Sequence, residues 1–468
     1  MDISAPRFFT ARALCAAMLL MAFCDCGAQT LAADGCPIYH CTPEATGVVS
    51  QPIVQSVPAI DSNGSLGSLP SQGCSGNGTV LTCLFSKDEA TGIAKGTLKV
   101  LDATTLQPIW GSAGVANSYN LKAASASGGQ VPVNFANGSI AAGDSKNFVL
   151  YSATGAVIAT LPLVGGANKN FGLTPLSATY GVVSQENGQL TLINMSTWQS
   201  AGTLTLRDPL TNDRVSLVSP SSGTAGVLYA IAQNLTTGNG LLFSVLLDAT
   251  TNQLSVGSTF EFTGASGASP VVVTPAVTGL PSNLVLLAVP GLIGDAQPQN
   301  RLLALLDTPA NGLTLSWEVT LPAPISVAPT IDQASMSVFY HDNNTPVVHQ
   351  NDLITGASIA AFNIRMLGGY PISFKLNGHL GASESGSPFT LLLAGEYTTS
   401  PGVGSQLVIT FQPLVSPNAL QWAAQISSKP AGYLAAWNFT ASSQSGVVCP
   451  IALTETNGNS AIVRLCDF

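Results

Sequence analysis

The residues most open to a chemical reading are six cysteines, Cys36, Cys41, Cys74, Cys83, Cys449 and Cys466, that remain once roughly the first 30 residues are set aside as a leader. An even number of cysteines in an exported chain favours disulfides over metal ligation. Between Cys449 and Cys466 two strand-like runs flank Asn457-Gly458, the dipeptide preferred in a two-residue type I′ hairpin. In that register residues whose numbers sum to 915 face each other, which sets Cys449 against Cys466. Counting outward from Thr456 and Asn459, the two fall at a non-hydrogen-bonded pair, close enough for a disulfide. That bond is predicted, and Cys74 with Cys83 and Cys36 with Cys41 are predicted as short loop closures. Zinc is the rival reading, resting on Cys36, His40 and Cys41 alone.

Other chemistry is thinly supplied. Asp342-Asn343-Asn344 and Asp61-Ser62-Asn63-Gly64 could offer oxygens to calcium, but each reads more simply as an Asn/Asp turn between strands. Asp88-Glu89 is an adjacent carboxylate pair, and alternate residues of a strand face opposite ways, so adjacency does not put two acids in one site. His341, His349 and His379 could act as bases, yet no Gly-x-Ser-x-Gly elbow accompanies them. Gly165-Gly166 lacks the Lys and the following helix of a phosphate loop. No catalytic or metal-binding residue is assigned, and no cofactor is predicted.

The elements that would position such residues are strands and turns. Only 8% of the 468 residues are charged, against roughly 25% in ordinary soluble domains, while 46% are hydrophobic and Gly and Pro number 46 and 29. The net charge is −9, and the 15 Lys and Arg residues form no run, which excludes a phosphate-backbone partner. Arg7 and Arg12 precede the apolar stretch Ala13 to Phe23, followed by small residues at Gly27, Ala28, Ala32 and Ala33. That stretch is too short to span a bilayer, so residues 1–33 are read as a signal peptide and residues 34–468 as the exported domain, periplasmic or extracellular. Lipid anchoring through Cys24 or Cys26 is the minority reading, because neighbouring Phe23 and Asp25 are not small.

Internal repetition sets the architecture. Leu101-Asp-Ala-Thr-Thr-Leu-Gln107 recurs with one change as Leu247-Asp-Ala-Thr-Thr-Asn-Gln253, a gap of 146 residues that holds three periods of propeller-blade length. Looser copies of this turn lie at Ser152-Ala-Thr-Gly155, Asn194-Met-Ser-Thr197, Asp307 to Gly312 and Asn351 to Gly356. Pro58, Pro132, Pro175, Pro220, Pro270, Pro329, Pro371 and Pro430 each open a short extended run, a place where a missing backbone donor is tolerated. After Pro430 only three strands follow, whereas Ala45-Thr-Gly-Val-Val-Ser-Gln-Pro-Ile53 resembles the turn and outer strand that end a repeat. The expectation is an all-β fold, a single β-propeller of eight four-stranded antiparallel blades with seven as the alternative. Residues 45–55 are expected to complete the last blade with 430–468, so that N- and C-terminal strands close the ring.

Asp102-Ala-Thr-Thr-Leu-Gln-Pro-Ile-Trp110 resembles the Asp-x-x-x-Gly-x-x-x-Trp turn of pyrroloquinoline-quinone-type propeller repeats. The resemblance implies that Trp110, Trp317 and Trp422 dock each blade on the next, while Asp102 and Asp248 read as caps of their own turns through side-chain to backbone hydrogen bonds. The resemblance also implies two functional possibilities. One is a non-catalytic binding or scaffolding propeller, monomeric, taking a protein or glycan on its loop face. The other is a divergent dehydrogenase using pyrroloquinoline quinone with calcium. No adjacent Cys-Cys pair and no Cys-x-x-Cys-His is present, so the binding module is the expected class.

Overall fold

The computed structural model describes residues 29–32, 41–42, 44–46, 48–49, 59–63, 70–85, 96–103, 105–110, 119–121, 132–143, 147–164, 170–217, 220–224, 226–248, 250–264, 266, 268–291, 299–325, 328–341, 345, 347–364, 373–382, 389–400, 403–415, 420–426, 429–430, 435–439, 447–456 and 459–466. Among these the chain forms eight antiparallel sheets, and the one α-helix is the single turn Pro275–Thr278.

Blade 1 comprises Pro70–Gly76, Val80–Phe85, Gly96–Asp102 and Tyr119–Leu121. Blade 2 comprises Val133–Asn134, Ile140–Gly143, Asn147–Tyr151 and Val157–Pro162, and blade 3 Asn170–Pro175, Tyr180–Gln185, Gln189–Asn194 and Gln199–Thr205. In blade 4 a first strand broken into Val215–Leu217 and Ser221–Ser222 precedes Val227–Asn234, Gly240–Asp248 and Gln253–Phe262. Blade 5 is Val271–Val273, Asn283–Val289, Asn300–Thr308 and Gly312–Leu321, and blade 6 is Thr330–Asp332, Ser337–His341, Val347–Asp352 and Ser358–Asn363. Blade 7 is Ser373–Ala382, Thr390–Ser400, Val403–Phe411 and Leu420–Ile426. Blade 8 holds Lys429–Pro430, Ala435–Phe439, Val447–Thr456 and Asn459–Cys466.

Burial separates the centre from the rim. The first strands of blades 2, 5 and 6 are wholly buried, whereas the fourth strands of blades 2, 3 and 6 are mostly exposed or half-exposed. Apolar residues on the faces of consecutive sheets meet in shared cores. Leu228, Ala230 and Phe243 of blade 4 pack on Val182, Leu190 and Leu192 of blade 3, and Val272, Val285 and Leu303 of blade 5 pack on Tyr229, Ile231 and Leu242 of blade 4. The central strands therefore carry near-continuous Val, Ile and Leu runs, because both of their faces are covered.

The ring closes head to tail, though not with the residues expected. Ala59–Asn63 pairs antiparallel with Asn459–Cys466, setting Ala59 opposite Cys466 and Asn63 opposite Ile462, so it supplies the outer strand of blade 8. The expected closing segment, 45–55, contributes Val48–Val49 elsewhere, in parallel pairing with Gly381 and Ala382 on the first strand of blade 7. Pro58 thus precedes the strand that finishes the last blade, and blade 1 opens at Pro70. The misreading has a physical source: two short β-prone runs sit in tandem before blade 1, and local pattern does not say which edge each will meet. Pro175 ends its strand rather than opening it. The eight sheets and this closure make the chain a β-propeller of eight blades, as expected.

Candidate functional site

The repeated turns all fall between the third and fourth strands of a blade, and most cap themselves. Asp102 accepts from the Thr105 N–H at 2.7 Å, Asp248 from the N–H groups of Thr250 and Thr251 at 2.8 and 3.3 Å, and Asp352 from those of Ile354 and Thr355 at 3.0 and 2.8 Å. Asn194 does the same for Ser196 and Thr197. Four residues beyond these caps the backbone enters the left-handed region at Leu106, Trp198, Asn252 and Gly356. The Thr251 hydroxyl and the two N–H groups hold the Asp248 carboxyl below its ordinary range.

Two of the three expected docking tryptophans can be followed. Trp110 donates its indole N–H to the Ala153 carbonyl of blade 2 at 3.2 Å, and a Cβ on Gly155 would stand 3.1 Å from its ring. Trp317 donates to the Leu353 carbonyl of blade 6 at 3.1 Å, over Gly356. Trp422 lies opposite Thr410 in blade 7, and its side chain is outside the described residues. Trp198 packs instead on Phe148 and Phe135 of the preceding blade.

The prolines have a second role that the sequence did not announce. A hydroxyl on the first strand of one blade donates to the carbonyl of the proline that opens or precedes the next: Ser75 to Pro132, Thr174 to Pro220 at 3.3 Å, and Ser221 to Pro270 at 2.6 Å. Each bond joins consecutive blades near the axis.

Among the cysteines, Cys74 and Cys83 form a disulfide across the first two strands of blade 1, with Cα atoms 4.4 Å apart. Cys41 is disulfide-bonded, and Cys36, its expected partner, lies outside the described residues. The final hairpin has the expected register, from Thr456 opposite Asn459 to Ile451 opposite Arg464. Two residues further that register sets Cys449 against Cys466, whose side chains lie outside the described residues. Asp342-Asn343-Asn344, Asp88-Glu89, Gly165-Gly166 and His40 lie outside them too. His341 is buried on the second strand of blade 6, His349 stacks on Tyr340, and Asp61 lies on the closing strand opposite Arg464.

Blade 5 breaks the pattern of the turns. Thr308 takes the capping place, accepting from the Asn311 N–H at 3.2 Å. The residue before the cap is Leu101, Tyr151, Ile193 and Leu247 in blades 1 to 4, but Asp307 in blade 5. Its carboxylate crosses to blade 4, where Oδ2 accepts from the Tyr229 hydroxyl at 2.7 Å and from Ser244 at 2.8 Å, and Oδ1 accepts from Ser258 at 3.4 Å. Asn283 donates in turn to the Tyr229 oxygen at 2.9 Å. Burial, with the Asp307 charge beside it, pushes the Tyr229 hydroxyl well above its ordinary pKa, so it stays a donor.

Asp307, Ser244, Ser258, Asn283 and Thr308 line a cleft of about 640 Å3 between blades 4 and 5, with Tyr229 buried behind them. Its walls carry Leu246, Pro275, Pro281 and Pro309, and its floor Asp307, Ser258 and Ser282. Ser282 is 6% exposed and its hydroxyl has no partner. A fixed carboxylate beside apolar proline edges can hold a ligand that donates hydrogen bonds and presents C–H faces. The cleft does not fit calcium, which takes six to eight oxygens: it holds one carboxylate, with both oxygens already accepting hydroxyl protons. Among the described residues no three His, Cys, Asp or Glu side chains converge.

No protein-family model and no curated protein sequence matches the chain. Among solved structures, the computationally designed Ika8 protein is similar with a TM-score of 0.51 at 12% identity, over 86% of this chain and 98% of that one. The chain is a β-propeller, with no narrower family shown. BamB from Moraxella catarrhalis is similar at a TM-score of 0.48 and 10% identity over 88% of this chain and 98% of that one. The quinohemoprotein alcohol dehydrogenase ADHIIG from Pseudomonas putida HK5 reaches a TM-score of 0.42 and 10% identity over 72% and 73%. At such distances the likeness speaks to the fold alone and assigns neither partner nor cofactor.

Proposed function

We propose that the protein is an exported, non-catalytic propeller that binds a neutral glycan in the cleft between blades 4 and 5. The observation that carries this is Asp307, a carboxylate standing where the four preceding blades have an apolar residue, held by three hydroxyls and turned into a cleft of about 640 Å3. Sugar hydroxyls would donate to Asp307, while C–H faces meet the prolines. Export is supported by the Cys74–Cys83 disulfide, a feature of oxidising compartments. No helix among the described residues is long and apolar enough to cross a membrane.

Calorimetric titration of the purified protein with a panel of neutral oligosaccharides tests the reading. At least one should bind, and Asp307→Asn should weaken it by about tenfold or more, the worth of a hydrogen bond to a charged group. Absence of binding across the panel, or equal binding by the variant, contradicts it. Dye-linked oxidation of an alcohol or sugar on addition of pyrroloquinoline quinone and calcium would favour the dehydrogenase instead.

A further inference from the structure

The leader region offers small-residue sites for a leader peptidase at Cys26-Gly27-Ala28, Leu31-Ala32-Ala33 and Ala33-Asp34-Gly35, and the first is the one that precedes Gln29. We propose that processing hydrolyses the Ala28–Gln29 bond, making Gln29 the first residue of the mature chain and leaving residues 29–32, 44–46 and 48–49 as a strap along the axial edges of the blades. Water adds across that amide, releasing the leader with the Ala28 carboxylate and freeing the Gln29 α-amino group. The inference rests on the export reading made above.

The strap is built into the ring. Val133–Asn134, the first strand of blade 2, uses one edge to pair with Ile140–Gly143. Its other edge faces the axis, where Ala32 N–H donates to the Asn134 carbonyl at 3.0 Å, Ala136 N–H donates to the Thr30 carbonyl at 2.8 Å, and Leu31 bridges Phe135. The Ser139 hydroxyl donates to Gln29 Oε1 at 2.7 Å, and Gln29 is only 3% exposed. Leu31 packs on the apolar core shared by blades 2 and 3.

Further along, the strap repeats this on other blades. The Glu44 carbonyl accepts from Val272 N–H of blade 5 at 2.9 Å, the Thr46 carbonyl from Ile331 N–H of blade 6 at 3.3 Å, and Val48–Val49 pairs with blade 7. Ala45 and Thr46 are buried there. Backbone donors on a central edge need partners, and the strap supplies them on four blades before Ala59–Asn63 completes the eighth. Cleavage after Ala33 would strip the edge of blade 2 and discard buried residues. Cleavage after Ala28 keeps every one of these contacts.

The full chain, expressed in an exporting bacterial host, decides the matter by intact mass and N-terminal sequencing of the exported protein. The expected first residue is Gln29. Ala28→Tyr should abolish cleavage there and accumulate the unprocessed chain, whereas Ala33→Tyr should be processed as the parent. An exported protein beginning at Asp34 or later, or cleavage sensitive to Ala33→Tyr and not to Ala28→Tyr, would overturn the inference while leaving export intact. An unprocessed parent chain held inside the cell would overturn both.

Discussion

Single carboxylates in this ring work in opposite senses. Asp248 is held below its ordinary pKa by the Thr251 hydroxyl and neighbouring N–H groups, and Asp352, against an opposing burial cost, by Thr355. A lowered folded pKa means a contribution present above the ordinary value of 3.8 and lost as pH falls through the folded one. Glu44 is the reverse: burial raises it above 4.5, so its stabilising contribution is present below that value and lost as pH rises through the folded one. Glu44→Gln is therefore expected to raise the Tm at pH 7 and leave it unchanged near pH 3.5, with thermal melts across that range as the check. Equal shifts at both ends would show that burial of Glu44 is not the cause. The caps Asp102 and Asp248 were legible in the sequence, since an Asx turn needs only local neighbours. Asp307 was not, because it sits one place before a cap inside a run that reads as an ordinary turn. Only aligning the repeats on the capping residue separates it from Leu101, Tyr151, Ile193 and Leu247.

Among the elements, docking between blades yields the sharpest contrast. Gly356 and Gly279 both have positive φ, at 70° and 68°, but a Cβ on Gly356 would come within 2.7 Å of Trp317, while nothing lies within 4 Å at Gly279. Gly279→Ala should cost about 1 kcal/mol for the left-handed backbone alone, and Gly356→Ala about 2 kcal/mol more for displacing the tryptophan. Denaturant unfolding of the two variants checks this, and equal costs would remove Trp317 from the interface. Ser221→Ala leaves the Pro270 carbonyl without its donor and should cost about 1 to 3 kcal/mol in the same measurement. Of the eight prolines singled out in the sequence, Pro132, Pro270 and Pro329 stand directly before the first strands of blades 2, 5 and 6, and Pro220 falls between the two pieces of the first strand of blade 4. Proline spacing could not foresee the hydroxyl-to-carbonyl bonds, whose partners lie 46 to 57 residues apart. Nor could it tell that Pro175 closes a strand rather than opening one.

For the whole molecule, composition and repetition were enough to read an all-β ring with shared termini. They did not reveal which tandem segment would close it. Edge pairing is settled by geometry across the ring, and both Val48–Val49 and Ala59–Asn63 satisfy the local pattern. The expected Cys449–Cys466 bond would brace the same closing blade. Peptide mapping without reduction should recover the two cysteines joined, and their recovery as free thiols would remove that brace. The most direct test of the ring is hydrogen exchange on the intact protein. Amides of Ala59–Asn63 should exchange as slowly as those of Asn459–Cys466, and deleting residues 59–63 should speed exchange in Asn459–Cys466. Free-chain exchange rates at Ala59–Asn63 in the intact protein would contradict a propeller closed by its own N-terminal strand.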